Sequence, residues 1–155
     1  MASRFTHRRR VLFHETDLAG IVHFSNFFKY MEEAEHAFFR SLGLPIHPRD
    51  NWRNPVRLGW PRVSASCSFH APLQFEDEIE VELLVAEIRL HSIRCRCHIW
   101  RDPDGSRVKA ATGEMVIVHV IADRAAGTMR SEPLPDEVRE KLTVAEELSS
   151  GGGIP

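Results

Sequence analysis

Asp17 stands three residues ahead of Gly20 and seven ahead of Phe24, where an apolar stripe of helical period begins. That spacing has a chemical use. The first four backbone N–H groups of a helix lack partners inside it and carry partial positive charge, so they can polarise a carbonyl oxygen. A nearby carboxylate, ionised at neutral pH, is then able to attack the carbonyl carbon or to activate a water. An Asp just upstream of a helix also serves as a plain turn or capping residue, and the spacing alone leaves both readings open. The histidines nearby offer a rival chemistry, metal binding. His14-Glu15-Thr16-Asp17 is not the His-Glu-x-x-His pattern of a zinc helix, and no second cluster completes a ligand set at a recognisable spacing, so no metal is expected. Cys95 and Cys97 lie two residues apart, on one face of any strand that holds them, and Cys67 is left over; this is neither a disulfide framework nor a zinc spacing. Packing in a sheet is their expected role.

The elements that must position these groups are legible from period. A short, partly alternating stretch from Phe5 to Phe13 predicts a strand running into the polar cluster before Gly20. Phe24, Phe27, Phe28, Met31, Ala34, Phe38 and Leu42 then recur at steps of three and four, predicting an amphipathic helix of roughly five turns. Ser25 or Asn26 can cap its start, Gly43 suits a left-handed terminating residue, and Pro45 forbids continuation. Residues 46–61, with Pro48, Pro55 and Gly59, read as a long irregular connection.

Beyond it the period becomes two. Val63, Ala65, Cys67 and Phe69 predict a half-buried strand; Ile79 to Val85, Ile93 to Ile99, and about Arg107 to Ile121 predict three more, with Asp102-Pro103-Asp104-Gly105 as a turn. Residues 135–148 suit a short polar helix, and Ser149 to Gly153 a flexible end. Strand, long helix and four further strands make an α+β fold in which one antiparallel sheet buries one face on one helix. The other face is left to water or a second subunit, so oligomerisation is expected.

Composition bounds the rest. The chain has 155 residues and a formal charge of −2, from 20 Lys+Arg against 22 Asp+Glu. This suits one soluble domain, and the balance argues against a dedicated nucleic-acid binder. No apolar run approaches the ~18 residues of a membrane span, and Arg8-Arg9-Arg10 is not followed by a signal-peptide core, so a reducing cytoplasmic setting is the expectation. Of the 20 basic residues 17 are Arg, the side chain suited to gripping phosphate bidentately.

The run from His14 through Asp17, Gly20, Ile21, Val22, His23, Phe24, Ser25, Asn26 and Phe27 into Tyr30-Met31-Glu32-Glu33-Ala34 resembles the hotdog-fold acyl-CoA thioesterases of the 4-hydroxybenzoyl-CoA thioesterase family. Ala71 to Ile79 looks like that family's link between its second and third strands, and the resemblance covers about residues 5–121. It implies a hotdog fold, an antiparallel five-stranded sheet wrapped around one long central helix, with a thioesterase domain over residues 1–125 and a C-terminal extension over 126–155.

The resemblance also implies roles. Asp17 falls where the family has its catalytic carboxylate, nucleophile or general base, and the Phe24 backbone N–H falls where the thioester carbonyl is polarised. Gly20 lets backbone approach the thioester, and Asn26 braces the turn. His23 lines the acyl pocket or acts as an acid or base, while His14 departs from the aromatic residue frequent there. Phe24, Phe27, Phe28 and the loop bearing Trp52 and Trp60 offer flat surfaces that favour an aroyl group; 4-hydroxybenzoyl-CoA and 1,4-dihydroxy-2-naphthoyl-CoA are not separated. Arg89, His91 and Ser92 match a segment that meets the CoA phosphates at a subunit boundary, with Arg57, Arg62, Arg94 and Arg96 as alternatives and a solvent-exposed hairpin as the plain reading. The implied activity is hydrolysis of an acyl-CoA, with no cofactor beyond the CoA of the substrate, in a homodimer or a homotetramer built as a dimer of dimers. A hotdog protein that binds acyl thioesters without hydrolysing them is the alternative.

Overall fold

The apolar stripe of the long helix organises the molecule. In the computed structural model, which describes residues 1–44, 46 and 53–146, helix α1 spans Ser25–Ser41 and buries Phe27, Tyr30, Met31, Ala34, Phe38 and Phe39. Full burial of Met31, Phe38 and Phe39 contributes roughly 1.5–3 kcal/mol each, which anchors the helix as one body. Gly43, at φ +71°, ends it in the left-handed conformation expected from its position.

The helix packs on a five-stranded antiparallel sheet in the order β1 (Arg4–Arg10), β4 (Glu78–Ile88), β5 (Ser92–Arg101), β6 (Val108–Val118), β3 (Arg62–Phe69). Ile79, Val81, Leu83 and Val85 of β4 face inward beside Ile93, Cys95, Cys97 and Ile99 of β5, as their period of two requires. Cys95 and Cys97 are buried free thiols whose burial pushes their pKa upward, and Cys67 is pushed to about 11 for the same reason. The outward face carries a lattice of charge: Arg8 and Arg107 both pair with Glu80, Arg96 pairs with Glu114, and Trp100 lies under Arg107 and Lys109.

Four expectations need correction. Within residues 46–61, Val56–Gly59 forms a strand, β2, which pairs with β7 (Val120–Asp123), itself paired with β8 (Thr128–Ser131), in a second small sheet. The strand expected from 107 to 121 is therefore two, broken where the chain changes partners: Val118 N–H donates to Pro61, and His119 N–H to His91. Of the expected helix over 135–148, the described residues, which end at 146, form only α2, Asp136–Lys141; beyond it Thr143 and Ala145 donate to the carbonyls of Ala2 and Val85, holding the chain extended. Finally, β3 is not half-buried. Val63 is 61% exposed and Phe69 49%, and along the strand only Arg62 and Cys67 are partly covered. Trp52, Pro48 and the expected flexible end at 149–153 lie outside the described residues.

Candidate active site

After β1 the chain makes a short 3-10 turn at Phe13–Glu15, and a bridge between Thr16 and Val22 closes the loop that carries Asp17. Asp17 N–H donates to Ile21 at 2.9 Å, Gly20 N–H donates to the Asp17 carbonyl at 3.0 Å, and Ala19 N–H donates to Asp17 Oδ1 at 2.8 Å. Gly20 sits at φ +77°, a conformation that side chains other than glycine adopt at a cost, so the residue type is what allows the loop to turn this tightly. Val22 N–H then donates to Leu73, fastening the loop to the segment before β4.

The loop opens onto a pocket of about 440 Å³. Asp17 is at its wall, with Phe24 and Phe27 from the helix start and Phe69, His70 and Leu73 from the end of β3 and the segment beyond it. Phe27 and Phe69 meet edge to face at 5.0 Å, making one side aromatic. Among the described residues the Phe24 N–H donates to no protein acceptor, although Phe24 immediately precedes α1. The neighbouring donors are taken: Ser25 N–H donates to His23 Nδ1 at 3.3 Å and Asn26 N–H to the His23 carbonyl at 2.9 Å. The His23 ring thus lies against the helix start, its Nδ1 2.7 Å from Ser25 Oγ, and neither Ser25 nor Asn26 caps the helix through its own side chain.

The residues singled out from sequence do not all gather here. Asp17, Phe24 and Phe27 share the pocket wall, whereas Gly20, His23 and Asn26 lie in the loop and helix start behind it. Asn26 is buried and its Nδ2 donates to the Glu15 carbonyl at 2.7 Å. Arg89, His91 and Ser92 lie at the far turn between β4 and β5. Arg89 pairs there with Glu87 at 2.8 Å, and Leu134 N–H and Arg139 donate to the Leu90 carbonyl. The pocket lies at the opposite end of β4, whose 11 residues span roughly 35 Å.

Glu15, Arg9, Tyr30, Phe69 and His70 were not singled out. The Glu15 carboxylate is buried and accepts from Arg9 Nη2 at 2.6 Å, Tyr30 Oη at 2.8 Å and Leu12 N–H at 2.8 Å. Burial acts to raise its pKa, but these donors outweigh it and hold the acid below the ordinary carboxylate value. Burial, and then the partnership with Glu15, raises the Tyr30 phenol. The only local trace of the network is a Glu three residues beyond Leu12; Tyr30 is fifteen residues away and meets Glu15 only when the helix docks.

The sequence profile of the thioesterase-like superfamily matches residues 11–142, past Ile121, where the resemblance read from residues ended. Over 113 residues the chain is 31% identical to the 4-hydroxybenzoyl-CoA thioesterase of Pseudomonas sp. (strain CBS-3), a match covering 70% of this chain and 77% of that one. Over 84 residues it is 43% identical to a protein of Aquifex aeolicus (strain VF5), covering 54% of this chain and spanning 62% of the relative's length. Among solved structures, a gentisyl-coenzyme A thioesterase superposes with a TM-score of 0.71 at 30% identity, covering 88% of this chain and 98% of the other.

Proposed function

This chain belongs to the thioesterase-like superfamily, whose chemistry is thioester hydrolysis, and on that premise we propose that it cleaves an aroyl-CoA to the free acid and CoA, using Asp17 and the start of α1. It has the hotdog fold, one long helix against a five-stranded antiparallel sheet. The observation that carries the proposal is that Asp17 and Phe24, whose N–H has no protein acceptor among the described residues, lie on the wall of one apolar pocket. A thioester carbonyl oxygen placed on that N–H gains a preformed donor at the positive end of the helix, where negative charge grows as the carbonyl carbon becomes tetrahedral.

Two routes then lead to products. In one, an Asp17 oxygen bonds to the carbonyl carbon, the C–S bond breaks and CoA leaves as thiolate; water then cleaves the mixed anhydride and regenerates Asp17. In the other, Asp17 takes a proton from a water whose oxygen attacks the carbon directly, and that proton passes to the departing sulfur. Neither uses a group beyond the chain, water and the substrate's own CoA. The aroyl preference is supported by the Phe27 and Phe69 rings on the wall, and by two relatives named for hydroxyaroyl thioesters.

The CoA phosphates need cations. If Arg89 with His91 and Ser92 holds them, the distance along β4 requires these residues to come from a second copy, so the working unit is a homo-oligomer whose sites span two chains. We place that unit in the cytoplasm, where Cys67, Cys95 and Cys97 stay as thiols.

Release of free thiol from a panel of aroyl- and alkanoyl-CoA esters tests the reading. Asp17→Asn is expected to lower kcat about 10²–10⁴-fold on the best substrate. Undiminished turnover would remove Asp17 from the reaction, and absence of turnover on every ester would favour a protein that binds thioesters without cleaving them. Oxygen-18 water in a single turnover tests the covalent route, because label in the Asp17 carboxylate arises only from an anhydride that water cleaves at the Asp17 carbon.

A further inference from the structure

The pocket describes where a substrate sits, but not what keeps Asp17 and the Phe24 N–H at a fixed separation. Both belong to one excursion of the chain that is exposed at Asp17 and at Phe24. An unsupported loop of this kind would sample many separations, and a displacement of 1 Å at reacting groups costs about 10²-fold in rate. The groups that hold it converge on a single residue. The Glu15 carboxylate takes Arg9 from β1, Leu12 N–H from the turn and Tyr30 from the second turn of α1. The Glu15 carbonyl takes His23 N–H at 2.9 Å and Asn26 Nδ2 at 2.7 Å. Asp17 lies two residues after Glu15, and Phe24 directly after the His23 whose N–H it holds.

Arg9 is fixed in turn. Its Nη1 binds both oxygens of Glu33 on α1, at 2.7 and 2.9 Å, and its guanidinium lies 4.4 Å over the Tyr30 ring. The cation therefore reaches Glu15 already oriented by the helix, and the side chain is mostly shielded from water. An isolated ion pair for stability needs only two of these groups. Here one acid joins strand, turn and helix while its own carbonyl joins the two ends of the Asp17 loop.

We propose that Glu15 is the positioning residue of the active site, setting the separation of the Asp17 carboxylate from the Phe24 N–H without touching the substrate; this rests on the roles given to those two groups above. Since its work is done in the transition state, loss of Glu15 lowers kcat and leaves substrate binding nearly unchanged.

The experiment compares wild type with Glu15→Gln, Glu15→Asp, Tyr30→Phe and the Glu15→Gln/Tyr30→Phe double variant, reading kcat and KM on the best aroyl-CoA and cooperative unfolding in urea. Gln keeps the shape, removes the charge that Arg9 meets and turns one acceptor into a donor. The expected result is a fall in kcat of about 10–100-fold for Glu15→Gln with KM within about threefold. Glu15→Asp restores part of kcat, because it restores the charge. Tyr30→Phe, which deletes one hydroxyl and keeps the packing, lowers kcat about three- to tenfold, and the double variant falls no further than Glu15→Gln, as members of one network do. A folded Glu15→Gln protein with kcat within threefold of wild type overturns the proposal. So does a Glu15→Gln protein that fails to fold while folded Tyr30→Phe keeps full kcat. Wild-type protein inactive on the whole ester panel fails differently: it removes the hydrolytic reading first and the role of Glu15 with it.

Discussion

At the scale of single residues, the site contrasts an exposed acid on the pocket wall with a buried acid behind it. Asp17 is exposed and Glu15 is buried two residues earlier, so the same functional group is given two environments by solvent access and by donors. The buried member leaves a thermodynamic signature. Its pKa is lowered in the folded state, so the unfolded chain binds the proton more readily and stability falls as pH drops. The contribution is fully present above the ordinary carboxylate value of 4.5, and is lost as pH falls through the lower folded value. Urea midpoints measured from about pH 6 down to about pH 3 should therefore fall less steeply in Glu15→Gln than in wild type. Equal slopes would mean that Arg9, Leu12 and Tyr30 do not hold the Glu15 anion as described.

At the scale of elements, the register of β6 against α1 decides how closely the helix approaches the sheet. Gly113 lies opposite Cys67 on one side and Cys97 on the other, and a Cβ there would collide with the Met31 sulfur and come within 3.0 Å of the Ser66 carbonyl. Met31 is fully buried, so it has little room to retreat. Gly113→Ala is expected to destabilise by about 1–3 kcal/mol, read as a lower urea midpoint at unchanged slope, since overpacking forces side chains off their preferred rotamers. An unchanged midpoint would show that Met31 repacks freely. The helix and the main-sheet strands were legible in sequence because Phe27 to Phe38 and Ile93 to Ile99 repeat over enough residues to define a period. The strands Val56–Gly59 and Thr128–Ser131 have only four residues each, too few for alternation to stand out, and both draw their partners from β7. Period two in Val63 to Phe69 announced a strand but not what covers its faces, which depends on the elements packed over it and which no local pattern encodes. In the site, Asp17 and Phe24 were legible because they flank a helix start, whereas Glu15 with Tyr30 and Phe27 with Phe69 are pairs that only folding assembles.

At the scale of the molecule, the exposed edge strand and the distant basic turn raise one question: whether a single chain contains a whole site. Val63 and Phe69 leave apolar surface along β3, while Arg89 stands at the far end of β4 from the pocket. If the cations for CoA come from a second copy, a dimer holds two sites, each with Asp17 from one chain and Arg89 from the other. Arg89→Ala should then raise KM about tenfold while sparing kcat, and Asp17→Asn should lower kcat about 10²–10⁴-fold, so each purified variant is poor at subsaturating aroyl-CoA. Unfolding an equal mixture of the two in urea and refolding it makes about half of the dimers mixed, and each mixed dimer has one site with both native residues. The mixture should recover about a quarter of wild-type kcat/KM when the residues act across chains. It should recover only about a twentieth, all of it from chains that keep Asp17 beside Ala at 89, when they act within one chain. Sedimentation of the same refolded samples separates these outcomes from failure to associate, because recovery at a quarter requires dimers or larger assemblies in the mixture. A monomeric wild-type protein with full activity would remove the second copy from the site and move the phosphate contacts to cations nearer Asp17.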